Sequence, residues 1–485
     1  MYSTFRKIDF IYPYIILILL LINFYNIFYH LGDFPIYSWD EARHGVSAYE
    51  MLQQRNFIVN TYRYEIDYWN LKPPLSFWAV MAGYKLVGFN MLGLRLLSGI
   101  CSILTTIMVA VFVYKSYGKL AAILATLALS TSPQLIINHS ARTGDADALF
   151  VFLFTVSMLS LLLSERNAKW LYCSGLAFAL AFLTKSWHAG NIAIIIGLYL
   201  MMTGKRKSLT KYNWIVLILC MILPILIWAI ARYQYDGIEF FKKMILYDLL
   251  QRSSSSIEGH IGGKLYYVLV LNRFFSLWLV ILFGLALLYS FSGQSAKKIK
   301  SENKFYKLGI CLWTMIPFLL YTFAKTKIRW YILPLYPPLS IIIGILASRL
   351  LMMPGRLRTK VMLLFSILLV TSFYYGQIHA YLHRPIPSLQ LSLLQKVQGL
   401  EEVKGDHIFL HRTNNQLPWQ QNEVLTSELY GDLYVENGGI NAFLKKEKAL
   451  LLVQKGRDSK RLIEANQLQI LTANKWGYIV RKGKK

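Results

Sequence analysis

Acidic residues and cysteines are scarce in this 485-residue chain, with 25 aspartates and glutamates against 52 lysines and arginines and a formal net charge of +27. The four cysteines, Cys101, Cys173, Cys220 and Cys311, all lie inside apolar runs. They have neither metal-ligand spacing nor the look of a disulfide framework, and read as small buried hydrophobes. A Gly-rich strand-to-helix fingerprint is missing, so the usual nucleotide-binding unit is excluded. Internal repeats and low-complexity tracts are missing too, which counts against transporters built from related halves. The first apolar run, about Ile11 to Phe28, has no small-residue cleavage site after it and reads as a retained helix rather than a removed signal peptide.

What is present in abundance is apolar sequence: 55% of residues are hydrophobic and mean hydropathy is +0.40. That composition specifies a polytopic membrane protein. Spanning helices are expected near 11–30, 94–114, 119–137, 148–163, 170–184, 192–203, 214–231, 266–290, 308–324, 331–350 and 361–376, with the 170–203 pair short enough to be re-entrant. Short basic connections place one face in the cytoplasm: Arg6-Lys7, Lys115 and Lys119, Arg166 and Lys169, Lys205-Arg206-Lys207 with Lys211, Lys297-Lys298 with Lys300 and Lys304, and Arg356, Arg358 and Lys360. The positive charge is thus a matter of topology and lipid phosphate, not of nucleic acid. The tail, about 377–485, carries short strand-like runs such as Ala449–Val453 and Tyr478–Val480 and is expected to be a small α/β domain outside the membrane.

The outer face receives the loop after the first helix, the segments 138–147, 185–191, 232–264 and 325–330, and the tail. Its loops carry Arg43, Lys72, Arg142, Lys185, Arg252, Lys325, Lys327 and Arg329, against the rule that assigned them there. Topology leaves that excess unexplained, whereas an anionic ligand at the outer surface accounts for it. The densest stretch is Ser38-Trp39-Asp40-Glu41-Ala42-Arg43-His44-Gly45, running on to Lys72-Pro73-Pro74. Ser38 with Glu41 has the spacing of a capping box, but a cap leaves Asp40, Arg43 and His44 without a role. Ala42, Val46 and Tyr49 recur at helical spacing, and Leu75 to Val87 is a second apolar stretch, so two interfacial helices are expected in this loop. Pro73 and Pro74 would set Lys72 at the second one's polarised start.

Other charged spots are weighed against plainer readings. Asp145 and Asp147 suit a helix N-terminus, while their D-x-D spacing also suits a hard divalent cation. Lys185 is explained by snorkelling as well as by function. Lys325-Thr326-Lys327-Ile328-Arg329-Trp330-Tyr331 puts three cations in five residues, which points to a phosphate. His260, between glycines, is a loop histidine without an obvious partner acid, and Ser253 to Ser256 reads as a loop. Asn138-His139-Ser140 matches a glycosylation sequon too close to the membrane to count.

These landmarks, in this order over roughly residues 10–350, resemble the GT-C membrane glycosyltransferases, in the branch of the lipid A aminoarabinose transferase and the protein O-mannosyltransferases. The resemblance rests on Asp40-Glu41-Ala42-Arg43, Met51-Leu52, Lys72-Pro73, Asp147-Ala148-Leu149, Leu183-Thr184-Lys185, Arg252 with His260 and Tyr266-Tyr267, and Lys325-Thr326-Lys327 leading to Tyr331-Ile332-Leu333-Pro334. It implies a mainly α fold of about eleven to thirteen spans and inversion at the anomeric centre of a sugar carried on a polyprenyl phosphate. It also implies catalytic roles for Asp40, Glu41 and Asp147, and donor-phosphate roles for Arg43, Lys72, Lys325, Lys327 and Tyr331. Lys185, Arg252, His260 and Asp145 are further candidates. Leu71 departs from the pattern: the aminoarabinose transferase has a glutamate there, used with a histidine at a metal site. No metal ligands are therefore assigned, and a divalent cation stays an open cofactor.

The resulting expectation is a monomeric glycosyltransferase of the bacterial cytoplasmic membrane. Its site would face outward, toward a lipid A, glycan or protein acceptor. The competing reading is a flippase or transporter of a lipid-linked anion.

Overall fold

The computed structural model describes residues 2–36, 39–291, 304–354, 356–384, 388–412 and 419–483. Ser38, expected as a cap, and the basic residues Lys297, Lys298 and Lys300 lie outside the described residues. The eleven apolar runs are helical over most of their length, but 119–137 is interrupted at Thr131–Ser132 and 331–350 opens on a 3-10 turn, Arg329–Leu335. In chain order the helices that matter are α1 (Tyr2–Phe28), α2 (Asp40–Gln53), α3 (Leu75–Val87), α4 (Met91–Tyr117), α5 (Lys119–Ser130), α6 (Asp147–Leu163) and α7 (Lys169–Lys185). They continue with α8 (Gly190–Met202), α9 (Lys211–Asp236), α10 (Tyr266–Phe291), α11 (Lys304–Phe323), α12 (Tyr336–Met352) and α13 (Leu357–Leu382). By length and apolar composition, eight helical stretches among the described residues are sufficient to cross a membrane, counting 169–202 as one. That stretch is broken at Ser186 (φ 45°) by a turn of 3-10 helix, Ser186–Ala189. Helices α3, α5 and α6 are apolar but shorter.

Helices α1, α9 and α13 keep large aliphatic and aromatic side chains on their outsides, among them Leu17, Ile227 and Phe365. For a chain whose solvent is lipid these faces need no cover. The interior is close-packed where small residues allow it: a Cβ on Gly344 of α12 would come within 2.5 Å of the Ala121 carbonyl of α5.

The loop between α1 and α4 is ordered. Helix α2 buries Ala42, Val46 and Tyr49, the residues whose spacing predicted it. A two-stranded hairpin follows, β1 (Thr61–Tyr62) with β2 (Glu65–Ile66), before α3 begins directly after Pro74.

Helix α13 runs to Leu382, so the boundary expected at 376 falls inside it and the tail begins beyond. The tail holds a five-stranded mixed sheet of order β4-β3-β5-β7-β6, where β3 is His407–His411, β4 Tyr434–Val435, β5 Ala449–Gln454, β6 Leu468–Ala473 and β7 Gly477–Lys482. β5 pairs parallel to β3 and antiparallel to β7, and its residues Ala449–Val453 are all buried. A further helix, α14 (Gln421–Gly431), packs on α2: Leu425 closes over Gly45, where a Cβ would come within 2.8 Å. The tail thus braces the helix that starts at Asp40.

Candidate functional site

A cavity of about 650 Å³ opens at the end of the bundle opposite the short connections Lys115–Lys119, Arg166–Lys169 and Lys205–Lys211. It is lined from the start of α2 (Trp39, Asp40), the approach to α3 (Trp69 to Lys72), the loop before α6 (His139, Asp145 to Asp147), the break between α7 and α8 (Lys185, Ser186, His188), the segment after α9 (Asp248, Arg252, Glu258, His260) and the run Ile328–Tyr331. The size suits a small-molecule ligand.

Helix α2 is held in place by Glu41. Arg95 of α4 clasps its carboxylate, Nε to Oε1 at 2.6 Å and Nη2 to Oε2 at 2.9 Å, and the Gly144 amide donates to the same Oε1 at 2.9 Å. Glu41 and Arg95 are fully buried. The expected catalytic role of Glu41, and its reading as a capping-box partner, give way to this anchoring one: its carboxylate is spent on Arg95 and does not line the cavity. Trp39 holds the N-cap position without a side-chain cap. Arg43 differs from expectation as well. It forks onto Asp67, with Nε and Nη2 each 2.7 Å from a carboxylate oxygen, and lies against the rings of Tyr62 and Trp69. Both carboxylate-facing donors are committed, so a donor-phosphate role for Arg43 has no support here.

Lys72 is presented to the cavity by a chain of contacts. Its Nζ donates to Asn70 Oδ1 at 3.0 Å, Asn70 lies 3.4 Å from His44 Nδ1, and His44 Nε2 meets Ser76 Oγ at 3.0 Å. Burial, reinforced by the Lys72 charge, pushes His44 down to about 3, so it stays a neutral linker between α2 and α3.

On the opposite side, Asp147 opens α6 and its Oδ1 accepts from Lys185 Nζ. His139 Nδ1 lies 2.9 Å from Asp145 Oδ2 and 3.5 Å from Asp147 Oδ2, while its Nε2 is 3.7 Å from Asp40 Oδ2. Asp145 Oδ1 accepts from the Asp147 amide at 3.0 Å, the local bond that the helix-start reading of this D-x-D anticipates. Burial works against a charge on His139, but Asp145 and Asp147 outweigh it and raise its pKa well above the ordinary value. The cavity wall pushes the Asp40 carboxyl up, while Lys72 and His139 pull it down, and the net effect is a lowered pKa. Asp40 is therefore an ionised carboxylate at neutral pH. His139, Asp145 and Asp147 offer ligand atoms within 4.8 Å of one another and are, among the described residues, the set that could hold a metal ion.

The third wall is cationic and aromatic. Arg252 donates to the Tyr331 hydroxyl at 3.3 Å and pairs with Asp248 at 3.0 Å, and Asp248 also accepts from Ser186 Oγ at 2.8 Å. Asp248 comes from a π-helical turn, Met244–Gln251, a form that often marks functional positions. Trp330 stacks flat on His139, 3.7 Å between centroids. His260 lines the cavity, and the Lys327 amide donates to its carbonyl. Lys325 and Lys327, both expected to hold phosphate, lie elsewhere. Lys325 is exposed away from the cavity, and the buried Lys327 ammonium caps α11 through the Tyr321 and Thr322 carbonyls. Arg329 is the cation of that run that reaches the cavity.

Sequence reasoning passed over His139, His188, Asp248 and Trp69. His139 sits in a discounted sequon and the others in unremarkable apolar or aromatic surroundings, so no local pattern marked them.

A family model described as dolichyl-phosphate-mannose-protein mannosyltransferase matches residues 71–228. An uncharacterised protein of Aquifex aeolicus is 29% identical over 320 residues, which are 65% of this chain and 60% of that protein. The undecaprenyl phosphate-alpha-4-amino-4-deoxy-L-arabinose arabinosyl transferase 2 of Pseudomonas fluorescens is 25% identical over 375 residues, 75% of this chain and 65% of that protein. The matched part thus spans under two thirds of these relatives. Among solved structures, ArnT from Cupriavidus metallidurans bound to undecaprenyl phosphate superposes with a TM-score of 0.70 at 14% identity, covering 96% of this chain and 97% of that one. The Archaeoglobus fulgidus oligosaccharyltransferase in the apo form follows the same fold with a TM-score of 0.57 at 10% identity, covering 93% and 70%.

Proposed function

We propose that the chain is a GT-C membrane glycosyltransferase of the aminoarabinose transferase and protein mannosyltransferase type, an inverting enzyme that uses a polyprenyl-phosphate sugar. The observation that carries the reading is that Asp40 and Lys72 line one cavity, an ionised carboxylate and an ammonium on a single small-molecule site. In this reading Asp40 accepts the proton of an acceptor hydroxyl as its oxygen attacks the anomeric carbon. The bond from that carbon to the phosphate oxygen breaks on the far side, and the configuration inverts. The departing phosphate gains charge, which Lys72, Arg252 and Arg329, cations lining the same cavity, offset in this reading. Asp147 and Lys185 neutralise one another beside His139 and hold the wall against which Asp40 is set.

The acceptor is a lipid A, another glycan or a protein. The cavity and the tail face away from the cytoplasm, since the short basic connections Lys115–Lys119, Arg166–Lys169 and Lys205–Lys211 lie at the opposite ends of the same helices. Transfer of labelled sugar from undecaprenyl phosphate by the purified chain in detergent, where no gradient exists, tests the reading. Product formation supports an enzyme, whereas donor binding without turnover toward any acceptor class would leave the flippase as the better account.

A further inference from the structure

Resting on the glycosyl-transfer reading, we propose that Trp39 and Trp69 form a stacking platform for a sugar ring of the acceptor, so that the attacked hydroxyl belongs to a glycan and not to a peptide side chain. Both indoles line the cavity beside Asp40. Trp39 is 59% exposed, yet it is held at φ 76°, a backbone conformation costly for a bulky residue and typical of sites where the surroundings enforce it. Part of that enforcement comes from the tail, where Gln421 Oε1 accepts from the Trp39 amide at 3.2 Å.

The platform has cationic and aromatic support. The Trp39 and Trp69 rings are 5.9 Å apart at 38°, and the Arg43 guanidinium lies 4.7 Å from the Trp69 ring centre and 4.1 Å from that of Tyr62. The two 2.7 Å bonds to Asp67 fix the guanidinium plane against both rings. This gives Arg43 a purpose other than the phosphate contact, its guanidinium being committed to Asp67.

An indole face is electron-rich and attracts polarised C–H groups. One face of a pyranose presents such groups, while its hydroxyls project from the edge toward the neighbouring Asp40 and Asn70. A serine- or threonine-bearing peptide would want main-chain partners such as an exposed strand edge, and this wall offers two rings instead. Trp39 directly precedes Asp40 and both line the cavity, so a ring stacked on Trp39 shares that cavity with the proposed base.

The test uses the full chain in lipid nanodiscs with undecaprenyl-phosphate 4-amino-4-deoxy-arabinose as donor and either lipid A or a serine/threonine peptide as acceptor. W39A is expected to lower kcat/KM for lipid A by at least tenfold through the acceptor KM, and W39F to recover most of it. Methyl β-D-glucopyranoside should inhibit the wild type competitively against lipid A, a result that needs no variant. An unaltered acceptor KM in W39A, no competition by the glycoside, or a peptide used as well as lipid A would overturn the platform. Absence of any donor turnover in the wild type would instead strike the glycosyl-transfer reading, and this inference with it.

Discussion

Arg95 and Glu41 form a fully buried ion pair that joins α4 to the first turn of α2 and, through the Gly144 amide, to the loop bearing Asp145. The remaining Arg95 donors are taken by the carbonyls of Leu31, Phe34 and Pro35. One guanidinium thereby fixes the exit of α1, the start of α2 and one wall of the cavity. Gly144 belongs to the same knot, since a Cβ there would come within 2.6 Å of the Leu94 carbonyl.

Removing one partner of a buried pair strands the other charge, at a cost of about 3–5 kcal/mol. Arg95→Ala is therefore expected to lower the melting temperature sharply and to abolish activity through the fold. Glu41→Gln should retain part of the stability, because the amide oxygen can still accept from Arg95. Thermal melts followed by tryptophan fluorescence distinguish the two. Comparable melting temperatures for wild type and Arg95→Ala would show that the knot does not carry the structure.

Asp40→Asn should behave in the opposite way. Asp40 is partly exposed at the cavity wall, and its loss leaves no buried charge of its own kind unpaired, so the melt should change little. Turnover should fall by roughly 10²–10⁴, the usual worth of a positioned base. Transfer assays beside melts check this, and a variant that folds and transfers at near wild-type rate would remove Asp40 from its proposed role.

Much of the architecture could be read from the chain because its signals are local. Apolar runs become helices, the Ala42, Val46, Tyr49 spacing becomes the buried face of α2, and Ala449–Val453 becomes the central strand β5. The site was legible only in part. Asp40, Lys72, Asp147, Lys185, Arg252 and Tyr331 do share one cavity. For Glu41, Arg43 and Lys327 the sequence shows a charge near the right place but not what neutralises it, since their partners are Arg95, Asp67 and the end of α11. A charged side chain aimed at a ligand and one aimed at a distant partner look the same in one dimension. His139 is the converse case, since its role is visible only once Asp40, Asp145, Asp147 and Trp330 surround it.

That His139 cluster bears on metal dependence. Its ligand atoms are close enough for a divalent ion, but Lys185 already stands on Asp147, and His139 is held in its charged form by Asp145 and Asp147. Two cations thus balance two carboxylates, and an added ion would have to displace a proton and an ammonium. Chelation with EDTA is expected to leave the transfer rate within about twofold of its starting value at neutral pH. A loss beyond tenfold that Mg²⁺ or Mn²⁺ restores would show that the cluster is a metal site after all.

The seam between α2 and α14 should respond to pH. Glu50 and Glu428 meet there, both buried, and each carboxyl is raised first by burial. Glu50 is pushed up to about 7, against softening by the Thr61 hydroxyl and the Tyr64 and Arg63 amides. Glu428 is raised well above the ordinary 4.5 by burial and by Glu50, with Arg63 opposing and Asp432 adding to the rise. Tyr49, bonded to Asp432, and Tyr64 complete the surroundings. Both acids hold a proton more tightly folded than unfolded. The Glu50 contribution is fully present below about 4.5 and is lost as the pH climbs through 7, because the unfolded chain then ionises first, and the Glu428 contribution is lost in the same direction. The tail should therefore grip α2 more firmly at pH 5 than at pH 8. Glu428→Gln, whose amide can donate to Glu50, should raise the melting temperature at pH 8 by several degrees and change it little at pH 5. Melts of both proteins across that range decide the matter, and an equal difference at the two pH values would show that the pair does not change its protonation between pH 5 and pH 8.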